Sequence, residues 1–149
     1  MLSARLVRLV SDHWEEIANR VVRRVCRNSK LLEFGRLPEP EVRARAREIL
    51  QNLGTWLLST EDELAQRYER IGRRRCQEGI PLHEVVYALQ LIKECMIQYV
   101  RDAGLSRTPV ELYAEEELHL GAERIFDTLV YYFVRGYEQE LREHLTMHA

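Results

Sequence analysis

Apolar residues recur every three or four positions along almost the whole chain, the pattern of amphipathic helices. In the opening segment Leu2, Leu6, Leu9, Val10, Trp14, Ile17, Val21, Val22 and Val25 form one face, and they predict a helix over about residues 3–28. Arg5, Arg8, Glu15, Arg20, Arg23 and Arg27 fall largely outside that stripe. Asn28 to Pro40 is an irregular connector, broken by Gly35, Pro38 and Pro40. A second helix, about 40–58, carries Val42, Ala46, Ile49, Leu50, Leu53, Trp56 and Leu57.

The next boundaries are written in capping residues. Thr60 followed three places later by Glu63 is a capping box, in which each side chain takes a backbone donor of the other. The helix it starts buries Leu64, Tyr68 and Ile71 and runs to about Glu78. Gly79 supplies a left-handed stop, Ile80 packs back on the last turn, and Pro81 prevents continuation. The fourth helix, about 81–103, presents Leu82, Val85, Val86, Leu89, Ile92, Met96, Tyr99 and Val100. Gly104 and Leu105 repeat the stop, and Thr108-Pro109-Val110-Glu111 is a second capping box. It opens a helix over about 109–145, roughly 55 Å long at 1.5 Å per residue. That exceeds the ~30 Å body of a small domain, so part of the helix is expected to pack on something outside the chain. No strand survives this reading. The expectation is one all-α domain over residues 1–149, a five-helix bundle with a globin-like or antiparallel arrangement and a long C-terminal helix.

Composition narrows the function classes. The 149 residues are 46% hydrophobic and 31% charged, enough apolar side chain for a core. The 22 basic and 24 acidic residues leave a formal charge of -2, which argues against a nucleic-acid partner. The longest apolar run, Leu129 to Val134, is far short of the ~20 residues a membrane span needs. Cys26, Cys76 and Cys95 are odd in number and widely spaced, which fits free thiols in a reducing cytosol. Charge is unevenly distributed. Residues 1–78 hold 16 basic and 12 acidic side chains, and residues 79–149 hold 6 and 12. Such asymmetry guides a partner or a head-to-tail contact, or is consumed by pairing within the chain.

Chemistry-bearing constellations are sparse. Glu116 and His119 have the Glu-x-x-His spacing of a carboxylate metal site, but a di-iron bundle needs a second such pair, and none occurs. Cys76 follows Arg73, Arg74 and Arg75, cations that lower a thiol pKa where they face it; consecutive helical residues diverge, so a core cysteine is the simpler reading. There is no G-x-S-x-G elbow and no phosphate-cradling glycine loop. The aromatic residues Tyr131, Tyr132, Phe133 and Tyr137, with Tyr87 and Tyr99 on the preceding helix, are too many to face one core. Gly121 and Gly136 lie within the same long helix, where close approach by another helix offsets their cost. Homodimerisation through the last two helices follows, with Tyr99, Leu129, Tyr131, Tyr132, Arg135 and Gly136 as interface candidates; ordinary core packing is the alternative.

The stretch Ile71-Gly72-Arg73-Arg74-Arg75-Cys76-Gln77-Glu78-Gly79-Ile80-Pro81-Leu82-His83-Glu84-Val85-Val86 resembles a recurring segment of the RsbR-type N-terminal sensor domains of bacteria. Phe126 to Glu138 is similar to that family's closing helix, and the resemblance covers essentially the whole chain. It implies a globin-like helical domain without haem that pairs into a dimer through its last two helices and serves signal input. With the missing catalytic motif and the free thiols, the expectation is a non-enzymatic cytoplasmic, stress-sensor-like domain that binds a small ligand or a signalling protein. Such domains precede output domains, so these residues are expected either to act by association as they stand or to be a piece of a longer chain. Globin haem hangs from a proximal histidine. The helix that would supply it, about 61–78, has none, and neither has the second helix, so no cofactor is expected. A haem- or metal-binding bundle is the alternative reading. A ligand pocket is expected between the third, fourth and fifth helices, near Tyr68, Ile71, Leu89, Ile92 and Phe126.

Overall fold

The computed structural model describes residues 4–56, 59–103 and 109–147. Each apolar stripe folds as a helix, and among the described residues there are six helices and no strand. The first expected helix is two: α1 (Ala4–Asp12) and α2 (Trp14–Cys26), separated at His13. His13 leaves helical geometry at φ -114 and ψ 25. Hydrogen bonds nonetheless flank the break, from His13 N to Leu9 O (3.1 Å) and from Ile17 N to His13 O (3.3 Å). The apolar period therefore runs through the bend unbroken, which is why the pattern reads as one helix.

The remaining helices lie within two or three residues of the predicted bounds. They are α3 (Glu39–Trp56), α4 (Glu61–Gln77), α5 (Leu82–Asp102) and α6 (Pro109–Met147). Thr60 and Glu63 make the complete capping box at the start of α4. At its end Gly79 has φ 77, with Gly79 N bonded to Cys76 O and Ile80 N to Arg75 O, so these two carbonyls of the last turn are satisfied. Leu2, Leu57, Gly104, Leu105 and the second capping box at Thr108 lie outside the described residues. The 39 residues of α6 extend about 58 Å.

Packing divides the bundle into two coupled parts. α2 lies on α3 and α5, α1 lies on α3, and α6 runs along α4 with a second contact to α5. Val10, Ile17, Val21, Val25, Leu50, Tyr68, Leu91 and Leu129, each at most 2% exposed, join these layers into a single core. The α2–α3 connector contributes to it through Leu31 and Phe34, and a 3-10 turn spans Phe34–Arg36.

The α4–α6 crossing is closer than side chains normally permit. A Cβ on Gly72 would stand 2.1 Å from the carbonyl oxygen of Phe133, and one on Gly136 would stand 2.1 Å from that of Glu69. Two glycines therefore face opposite backbones, one on each helix, and bring them into direct contact.

Candidate functional site

Two regions gather the residues that the sequence singles out: the outward side of α6 and a small void inside the bundle. On α6, Leu129 is fully buried, Gly136 backs onto Glu69, and Tyr132 is 7% exposed with its hydroxyl donating to Glu61 Oε1 at 3.0 Å. These three residues are thus committed within the chain, where the pattern assigned them to a second copy. Tyr99 is also turned inward, toward the α1–α2 bend. Its ring lies 5.7 Å from that of His13, and Arg20 sits over it at 5.2 Å. Tyr131 and Arg135 remain outside. Tyr131 is 59% exposed with its ring edge-on to Tyr132, and Arg135 Nε reaches Glu69 Oε1 at 3.4 Å. Leu112, Tyr113, Leu120, Leu141 and Leu145 are further exposed apolar residues of the same helix. Beside it a hollow of about 140 Å³ lies between α5 and α6, lined by Gln90, Lys93, Phe126, Asp127 and Val130.

The void, about 20 Å³ and partly open to solvent, lies where α3, α4, α5 and α6 converge under the connector. Leu89 and Ile92 line it, together with Phe34, Ile49, Val85, Ala88 and Phe133. Tyr68 stacks behind it on Phe133, with ring centroids 5.9 Å apart, and Ile71 is buried in the same core. Phe126 stands apart, in the wall of a smaller void of about 10 Å³ near α1.

The remaining two lining residues, Arg45 and Arg75, are charged. Their side chains are 12% and 8% exposed. Arg45 pairs with Glu78 and Glu41, and Arg75 pairs with Glu78 at 2.8 Å and Glu48 at 3.8 Å. Burial works against the Glu78 carboxylate, but hydrogen bonds from both guanidiniums outweigh it and hold its pKa below the usual range. Burial first, and Arg45 second, lower the pKa of Arg75. Arg45 also lies over the Phe34 ring at 5.9 Å, and its Nε is buried with no hydrogen-bond acceptor among the described residues.

The connector is fastened over this void by Glu84, a residue 2% exposed in the first turn of α5. Its Oε1 accepts from Glu33 N and from Phe34 N, both at 3.0 Å. Asn28 Nδ2 donates to the Tyr87 hydroxyl at 3.1 Å, a second tie to α5. Sequence reasoning did not place Phe34, Arg45, Arg75 or Glu84 at a pocket, and considered Arg75 only as a neighbour of Cys76. The available signal was a charge flanking an apolar stripe, as Arg45 does beside Val42, Ala46 and Ile49.

The constellations considered for chemistry disperse. Arg73 turns to Glu140, Glu143 and Gln139, and Arg74 turns to Glu48, so neither serves Cys76. Burial, and then the negative charge of Glu140, push the Cys76 thiol up, opposite to nucleophile activation. His119 lies between Arg101, 3.3 Å from its Nδ1, and Glu123, 3.7 Å from its Nε2. Among the described residues no three His, Cys, Asp or Glu side chains gather as metal ligands, and no helix is long and apolar enough to cross a membrane.

Residues 15–149 match the family model described as the RsbT co-antagonist protein rsbRD N-terminal domain. No curated protein and no solved structure matches the chain.

Proposed function

The chain belongs to the rsbRD N-terminal domain family of stress-signalling regulatory domains, and from that premise we propose that it is a non-enzymatic cytoplasmic sensor domain acting as a homodimer through its last two helices. The observation that carries this reading is the outward side of α6. Tyr113, Leu120, Tyr131, Leu141 and Leu145 are between 42% and 66% exposed. At 100° per residue they fall within an arc of about 80° along the helix. Arg124, Asp127 and Glu138 interrupt the stripe, so it suits a solvated protein that associates rather than a buried seam. Tyr131 and Arg135 are the interface candidates that this side retains.

Signal input is assigned to the void under the connector, with Leu89, Ile92 and the stack of Tyr68 on Phe133 in or behind its wall. A ligand there transmits a signal by favouring one arrangement of the helices over another. Size-exclusion chromatography with light scattering, recording the ultraviolet and visible spectrum of the same peak, tests the proposal. A colourless species of twice 17.7 kDa is expected. A monomer at micromolar concentration would sink the dimer, and an absorption band in the visible would replace the reading with a cofactor-binding one.

A further inference from the structure

We propose that the void under the connector is a binding site for a small aromatic anion, of the class of aromatic carboxylates, and that Phe34 occupies it in this structure. The inference rests on the sensor reading above and names the ligand class of its pocket. Phe34 comes from the connector rather than from a core helix, yet it is 5% exposed and lines the void with Leu89, Ile92 and Phe133. Its anchorage is polar and local. The Glu84 carboxylate holds the backbone N–H of Phe34 at 3.0 Å and that of Glu33 at 3.0 and 3.3 Å. Releasing those bonds and opening the one 3-10 turn that Phe34 begins, closed by Leu37 N on Phe34 O at 3.2 Å, frees the ring without unfolding an α-helix.

What surrounds the ring specifies its replacement. The Arg45 guanidinium lies 5.9 Å over it, so departure of Phe34 leaves that cation without its π partner. Arg45 Nε is a buried donor with no acceptor among the described residues, and the Arg75 side chain, 8% exposed, lines the same space. An incoming ring restores the first contact and a carboxylate attached to it supplies the second. A neutral aromatic provides only the ring, and an aliphatic acid provides only the acceptor. As it stands the void, about 20 Å³, holds about one water. With the ring withdrawn the space has room for one aromatic ring, the size of the group that left it. Glu41, Glu48 and Glu78 balance Arg45, Arg74 and Arg75, so the ligand carboxylate competes with them for the guanidiniums.

Calorimetric titration of the full chain with benzoate, and with toluene as its uncharged counterpart, tests the site. Phe34→Ala is expected to bind benzoate at least 10-fold more tightly than the parent and at least 10-fold more tightly than toluene. Adding Arg45→Gln should abolish the preference for the anion, and adding Glu48→Gln should strengthen it. Phe34→Leu carries the same comparison should the alanine variant melt below the working temperature. Equal affinity for toluene and benzoate overturns the proposal, as does no saturable benzoate binding by a folded variant. Light scattering on the same samples separates the two readings. A dimer that binds no benzoate sinks the site alone, and a monomer that binds it sinks the dimer alone.

Discussion

At the scale of single residues, the buried charges decide how the connector is held. Glu84 is 2% exposed and is answered by two backbone N–H groups rather than by a cation. Glu84→Ala leaves the buried Phe34 N–H and the part-buried Glu33 N–H without their acceptor, so it is expected to lower stability by about 1–3 kcal/mol in urea unfolding. Glu84→Gln, which keeps an acceptor oxygen, should lose less. Glu78 behaves differently because Arg45 and Arg75 depress its pKa. A depressed carboxylate contributes stability that is fully present above the unfolded-state pKa, about 4.3, and is lost as pH falls through the folded value. Glu78→Gln should therefore destabilise the domain at pH 7 and flatten the loss of stability below about pH 4.5, measured by thermal melts across pH. Neither role was legible from sequence. Glu84 is not among the apolar positions that mark α5, and only the return of the connector, some 50 residues earlier in the chain, buries it.

At the scale of elements, caps and breakers were readable because their chemistry is local. Thr60, Glu63 and Gly79 do in the structure what their spacing predicts. The bend at His13 was not readable, since hydrogen bonding and apolar period persist on both sides of it. Gly136 shows a different limit. Its position correctly implies close approach by another helix, but periodicity cannot say which, and the partner is α4 of the same chain. The reciprocal contact makes a sharp prediction. Alanine at Gly72 or Gly136 gains about 1 kcal/mol of helix propensity, yet its methyl would sit 2.1 Å from a carbonyl oxygen. The helices must separate, and overpacking of this kind costs more than the gain. Either substitution should lower Tm by about 3–8 °C, read by circular dichroism. An unchanged or raised Tm would mean that the two backbones are not in direct contact.

At the scale of the molecule, the opposite charges of the two halves are largely consumed inside the fold. Arg20 pairs with Asp102, Arg24 with Glu94, and Arg73 with Glu140 and Glu143. That leaves apolar surface on α6, rather than net charge, as the driver of association. The proposed dimer should accordingly be little affected by raising salt from 0.05 to about 0.5 M, where screening reaches within a few ångströms. Substitutions on the two sides of α6 should also separate cleanly. Tyr131→Glu places a charge on a residue already 59% exposed, so it is expected to convert dimer to monomer while leaving the monomer folded. Tyr132→Phe removes the hydroxyl that bonds Glu61, so it should cost about 1 kcal/mol of stability and leave the mass unchanged. Light scattering at two salt concentrations, with melts of both variants, checks this. Salt-driven dissociation would move the interface to the charged surfaces. A Tyr132→Phe monomer would show that α6 meets its partner through the side now turned toward α4.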